Sequence, residues 1–243
     1  MIFYRKLSYR FFYYFIIPVM KKIFYLFILV LLANCTIFIK YSIACPDKSV
    51  KILMMLNHDS YQKIRNIDTA TFATGCFWCT EAKFLQLRGV IKVVSGYTGG
   101  KLNNPSYRQV CTGTTGHAEA CNIIYNAAQI SYDELLAAFF EAHDPTQLNR
   151  QGNDVGTQYR SAIFYHNAAQ KQKAAYYINR LNEEHAYKNK IVTEVVPYTI
   201  FYKAADDQQN FYNQNPNQRY CKFVIQPELE KFKKVFKGKL KQE

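Results

Sequence analysis

At 243 residues, 49% hydrophobic and 20% charged, the chain has a globular composition and enough length for one good-sized core or two small ones, which excludes disorder for most of it. A formal net charge of +13 raises nucleic acid or an anionic membrane surface as a partner, but much of the basic excess lies at the two ends, in Arg5, Lys6, Arg10, Lys21, Lys22 and "KFKKVFKGKLK" from Lys231 to Lys241. No basic stripe interleaved with aromatics crosses the middle, so the reading is no nucleic acid.

The first 50 residues read as a leader rather than as fold. "MKKIFYLFILVLLANC" begins at Met20 with two lysines and is then uncharged from Ile23 to Ile39, the layout of a basic n-region followed by an apolar h-region. The run falls short of the roughly 20 residues of a comfortable transmembrane helix, so a signal peptide is preferred to a permanent membrane anchor. Ser42 and Ala44 of "YSIAC" supply small residues for cleavage before Cys45, and "LANC", ending at Cys35, faintly resembles a lipoprotein box. The expectation is export, to the periplasm if the source is bacterial, or membrane attachment through this segment; without a working leader the protein is cytoplasmic. Residues 51–67 are expected to be a linker and 68–243 a single catalytic domain.

From there strands and helices alternate. "DTATFATG" has the period-2 pattern of a strand and runs into "CFWCTEAKFLQL", where apolar residues recur at helical spacing, so Cys76 falls on a strand-to-helix junction. "VIKVVSGYTGG" and "HAEACNIIYN" read as further strands. "SYDELLAAFFEAH" opens with a capping box, Ser131 with Glu134, and continues as a helix. "QYRSAIFYH" is a strand, "NAAQKQKAAYYINRLNEE" a helix started by Asn167, and "IVTEVV" a short strand ended by Pro197. From Phe201 the tail mixes a helix, the turn-rich "NQNPNQRYC" and a last basic helix. This alternation implies one α/β or α+β domain of about 180 residues.

The chemistry centres on Cys76. A thiol at the first turn of a helix faces unpaired N–H groups and the positive end of the helix dipole, which favour the thiolate. Phe77 and Trp78 beside it suit a substrate with a small apolar group next to a polar one, such as a methyl sulfoxide. The C-x-x-C spacing of Cys76 and Cys79 by itself is equally that of a redox pair, half a zinc site, or two buried small hydrophobes. Cys111, His117 and Cys121 match no standard zinc spacing, and no metal site is expected. The seven cysteines are an odd set without a repeating spacing, so some thiols are taken as free and at least one as reactive.

"GCFWCTEAKF", "VSGYTGG", "NPSYRQV", "TGHAEA", "HDPTQLNRQGNDVGTQYRSAIF" and "NPNQRYC" resemble, in order and spacing, the successive signatures of peptide methionine sulfoxide reductase A, over roughly residues 68–236. The resemblance implies an α+β fold, a two-layer sandwich with a ferredoxin-like core, a mixed sheet and flanking helices. It also implies reduction of the S epimer of methionine sulfoxide, free or in oxidised proteins, with no bound cofactor and an external dithiol, thioredoxin or an equivalent, as reductant; the protein is expected to be a monomer. By the same resemblance Cys76 is the nucleophile, Phe77 and Trp78 receive the substrate methyl, and Glu119 protonates the sulfoxide oxygen. Tyr107 and Tyr159 hydrogen-bond that oxygen, Asp154 helps to orient substrate, and Cys221 is the resolving cysteine, placed in a mobile tail. Cys79 is an alternative resolver, because three residues along a first helical turn bring two thiols near disulfide geometry. Gln208 and Phe211 stand where the family often has histidine and tyrosine. Cys111 and Cys121 are assigned to packing. The competing functions are a thiol-disulfide oxidoreductase working through Cys76 and Cys79, and a surface-anchored binding protein using the aromatic pocket.

Overall fold

The structure, a computed structural model, describes residues 66–242. The expected leader, and all but the last two residues of the linker, lie outside the described residues. Eight strands and six α-helices follow in the order β1 (Ile67–Thr74), α1 (Phe77–Phe84), β2 (Val90–Thr98), α2 (Tyr107–Cys111), β3 (Ala118–Asn126), α3 (Tyr132–Ala142), β4 (Arg150–Gln151), β5 (Asp154–Val155), β6 (Ser161–Tyr165), α4 (Ala168–Glu183), β7 (Glu194–Pro197), β8 (Phe201–Lys203), α5 (Phe211–Gln214) and α6 (Gln226–Val235).

Six strands form one sheet in the order β7-β6-β1-β3-β2-β8, parallel only between β6 and β7. Within it β1-α1-β2-β3-α3-β6 makes a ferredoxin-like core, with β1 paired antiparallel to both β3 and β6. The expected α+β architecture is therefore the one observed. Edge strands β7 and β8 extend it, and the β4–β5 hairpin stands apart.

Helices α3 and α4 start where the side chain of the N-cap residue satisfies an otherwise unpaired N–H group. The Ser131–Glu134 capping box opens α3, and the Asn167 side chain accepts from the Gln170 N–H at the start of α4. The packing centre is aromatic: Phe72 of β1 lies 5.8 Å from Phe84 of α1 and 5.1 Å from Phe139 of α3, centroid to centroid. Each such ring contributes roughly 2–3 kcal/mol by leaving water. Phe84 also meets Phe232 of α6 at 6.4 Å, which ties the C-terminal helix to α1. The opposite face of the sheet carries small residues, Ala73, Ala118, Ala120 and Ala162, packed with Phe164.

Three elements differ from the sequence reading. Phe201–Lys203 is an edge strand because its backbone completes the β2 edge from Gly96 to Thr98, a long-range pairing with no local signature. Helix α2, with its own capping box between Ser106 and Gln109, is only five residues long and too short to show a period. The mobile tail expected around Cys221 is instead packed: Cys221 is fully buried, in a π-helical turn from Cys221 to Ile225 that runs directly into α6.

Candidate active site

Strand β1 ends at Thr74, and the chain turns through Gly75 at φ +94°, where a Cβ would stand 2.6 Å from that of Gln151. Only glycine fits this turn. It delivers Cys76 in an extended conformation as the N-cap of α1, with the Thr80 hydroxyl on the Cys76 carbonyl at 3.1 Å and the Thr74 hydroxyl on that of Thr80 at 2.6 Å.

The Cys76 thiol is 6% exposed, and burial pushes its pKa well above the ordinary thiol value, with the neighbouring Cys79 and the Glu119 charge adding to the rise. The backbone N–H of Cys79 works in the opposite direction but does not offset desolvation. This corrects the expectation of a thiolate favoured by the helix start. The first-turn dipole is present, but the site is drier than a surface helix end, and drying disfavours the charged form more strongly.

Glu119 stands on β3, cross-strand from Tyr97 on β2. It is 1% exposed, and burial raises its carboxyl to about 8, although the Phe77 N–H donates to Oε2 at 3.1 Å and pulls the other way. The remaining oxygen, Oε1, is buried and has no partner. A protonated carboxyl thus adjoins the residue that follows the thiol.

Tyr107 is the first residue of α2, and its ring stacks on Phe77 at 6.2 Å and on Trp78 at 6.1 Å. Tyr159 ends a 3₁₀ turn, Thr157–Tyr159, and packs on the cluster of Cys76, Cys79 and Cys221. Both hydroxyls are pushed up, first by burial and then by the charge of Glu119, which places both phenols in the field of that carboxyl. Trp78 completes an aromatic wall: Phe77 lies 5.9 Å away, Tyr220 edge-on at 5.9 Å, and Phe211 flat against it at 3.8 Å and 9°.

Asp154 of β5 accepts from the Tyr220 hydroxyl at 2.6 Å, and that hydroxyl is 3.9 Å from Cys79 Sγ. Cys79, also 6% exposed, shares a cluster with Cys76 and with Cys221, whose thiol donates to Gln218 Oε1 at 3.8 Å. Gln208 Oε1 is buried without a partner, and Phe211 has become the outer face of the Trp78 wall.

Of the other candidate residues, Cys121 is buried as expected, its thiol donating to the Phe77 carbonyl at 3.5 Å, whereas Cys111 is exposed rather than packed. Cys111 lies one turn after Tyr107 on a helix whose inner face is filled by Val110, so it is left at the surface. His117 accepts from the Gly100 N–H and bonds the Leu102 carbonyl, which spends both ring nitrogens on the loop after β2.

Tyr220 and Glu81 were not singled out by the sequence. Tyr220 had a signal, since it immediately precedes the cysteine of "NPNQRYC". Glu81, buried on α1, lies inside "GCFWCTEAKF", but its residue type pointed elsewhere, because a helical glutamate ordinarily faces water.

The sequence profile described as Peptide methionine sulfoxide reductase matches residues 68–240. The chain belongs to this family. As a member it is a peptide-methionine (S)-S-oxide reductase. The reductase is 50% identical over 175 residues to peptide methionine sulfoxide reductase MsrA of Saccharolobus solfataricus, an alignment covering 72% of this chain and 98% of the relative. It is 54% identical over 166 residues to the MsrA of Nautilia profundicola, covering 68% and 94%. Among solved structures, Mxr1 from Saccharomyces cerevisiae in reduced form superposes with a TM-score of 0.61 at 34% identity, covering 65% of this chain and 91% of that one. Methionine sulfoxide reductase A of Corynebacterium diphtheriae gives 0.57 at 36%, covering 63% and 77%.

Proposed function

We propose that this reductase works through a sulfenic acid on Cys76 and an intramolecular disulfide, with Glu119 as the acid. The observation that carries the reading is the bond from the Phe77 N–H to Glu119 Oε2 at 3.1 Å, with Oε1 left unpartnered in a carboxyl raised to about 8. Because Oε2 accepts, the acidic proton belongs on Oε1, free to meet the sulfoxide oxygen. A sulfoxide sulfur is a poor electrophile until its oxygen receives a proton, and the Tyr107 and Tyr159 hydroxyls share that task. The wall of Phe77 and Trp78 takes the methyl group.

Cys76 gives up its proton as its sulfur attacks the substrate sulfur and an S–S bond forms; the sulfoxide oxygen, protonated by Glu119 and by the thiol proton, leaves as water. Water then attacks Cys76 Sγ and breaks that S–S bond, so that methionine departs with the bonding pair, Cys76 carries S–OH and the released proton returns to Glu119. A second thiol then attacks Cys76 Sγ; an S–S bond forms, the S–O bond breaks, and the oxygen departs as water. An external dithiol, thioredoxin or an equivalent, reduces the disulfide by exchange. Cys221 is the resolver in this scheme, and Cys79, which adjoins both thiols, is the alternative. Asp154 acts through Tyr220 to set the edge of the pocket. If the 20–45 segment exports the protein, the dithiol must come from a dedicated reductant, since the compartment is oxidising.

The test is methionine formation from the separated epimers of a blocked methionine sulfoxide, with dithiothreitol, by the protein and its Cys76→Ser variant. Product from the S epimer alone, absent in the variant, is the expected result. Product from neither epimer by folded protein would refute the reading and move the Cys76–Cys79 redox pair to the front.

A further inference from the structure

Trp78 is held face-on by Phe211, and Phe211 belongs to a helix of four residues with no side-chain cap of its own. An isolated turn of this length has no stability in water, so something else fixes it. The preceding residue, Asn210, stands in the left-handed region at φ +48°, and its N–H donates to Glu81 Oε2 at 2.8 Å. The Phe211 N–H also points to that carboxylate. The same oxygen accepts from the Ser95 hydroxyl at 3.0 Å, and Gln209 grips the Ser95 backbone from both sides, accepting from its N–H at 3.0 Å and donating to its carbonyl at 2.9 Å. Glu81 is thus the missing cap, supplied across the fold from α1, the helix that Cys76 itself opens.

We propose that Glu81 is a positioning residue for sulfoxide reduction: its carboxylate caps the Phe211 turn from α1 and so holds Phe211 flat on Trp78, which fixes the wall that receives the substrate methyl. The proposal rests on the reading of Phe77 and Trp78 as that wall. Glu81 acts here as a hydrogen-bond acceptor and touches no reacting atom. Two residues further along α1, buried Lys83 bonds the Ala142 carbonyl at 2.6 Å and Glu228 at 2.7 Å. One helix therefore grips the segment carrying Tyr220 and Cys221 both before and after it.

Trp78 is the only tryptophan in the chain, so its emission reports this stack directly. Glu81→Ala and Phe211→Ala are expected to shift that emission alike and to lower kcat/KM about tenfold each, mainly through KM. The double variant should be no worse than either single one, because both remove the same contact. Glu81→Gln, which keeps an acceptor oxygen, should restore emission and KM. Unchanged emission in Glu81→Ala, losses that multiply toward a hundredfold in the double variant, or damage in Glu81→Gln equal to that in Glu81→Ala would each overturn the proposal. Should Glu81→Ala fail to fold, Ser95→Ala removes one donor and must still give a smaller emission shift in the same direction; no shift there overturns it too. Failure of the underlying pocket reading shows separately, as a wild-type KM in Trp78→Ala.

Discussion

Cys76 and Glu119 belong to the part of the molecule built from long paired strands, one just beyond the end of β1 and the other within its neighbour β3. Tyr220 and Cys221 stand on a segment between Lys203 and Gln226 in which no element exceeds five residues. The first region is fixed by a ladder of backbone hydrogen bonds, each costing little to specify. The second is held by a few side chains that cross between the two, Glu81 to Asn210 and Gln209 back to Ser95, and just beyond it by Lys83 on Glu228 of α6. In the proposed mechanism the sulfoxide step uses a dry, fixed arrangement of thiol and acid, whereas the resolving step brings a second thiol of the same buried cluster onto Cys76 Sγ. The first rests on the sheet, and the second on a strap that side chains hold against it, with Phe211 of the strap closing the Trp78 wall.

The largest expected effects fall on the sheet side. Cys76→Ser abolishes methionine formation even in a single turnover, and Glu119→Gln lowers kcat by about 10²- to 10⁴-fold, the range for loss of a general acid. Measurable single-turnover product from the serine variant would remove Cys76 as the nucleophile. The acid also sets a pH limit. Because the Glu119 carboxyl is raised to about 8 by burial, kcat should decline as pH rises through about 8 and the acid ionises. A flat profile from pH 6 to 10 would remove Glu119 from the role.

On the strap the effect has a different form. Cys221→Ser should leave the first turnover near wild type and stall the following ones, seen as a burst of about one methionine per enzyme in rapid-quench assays. Sustained turnover in Cys221→Ser that is lost only when Cys79 is also replaced would move resolution to Cys79, and with it part of the second step onto α1.

Smaller effects concern stability. Glu228→Gln weakens the grip of Lys83 on α6 and should lower unfolding stability by about 1 kcal/mol in urea titration, since a hydrogen bond to a charged partner is replaced by a neutral one. Glu119 has a linkage signature of opposite sense to a paired carboxylate. Its folded value of about 8 exceeds the ordinary 4.5, so between these values the unfolded chain releases a proton that the folded one retains, and stability falls as pH rises across that window. Glu119→Gln should flatten that decline, and identical pH–stability curves for the two proteins would refute it.

The central elements are legible in the sequence, because their signals are local. Alternation in "DTATFATG", the capping boxes of Ser131 and Asn167's side chain, and the glycine before Cys76 are all readable within a few residues. The sequence also placed the family, since the motifs around Cys76, Tyr107, Glu119, Asp154, Tyr159 and Cys221 are contiguous in the chain. Other features arise only on folding, because they depend on groups far apart in sequence. The thiol of Cys76 is dried by surroundings that no local pattern shows, so its pKa rises where a helix start alone would lower it. Cys221 is buried because α6 docks Phe232 on Phe84 and Glu228 on Lys83, pulling a turn-rich stretch into the core. Glu81, unremarkable in a helix, acquires its partners 14 and 129 residues away, from Ser95 and Asn210. Local propensity is written in neighbours; desolvation and long-range capping are written only in the packed chain.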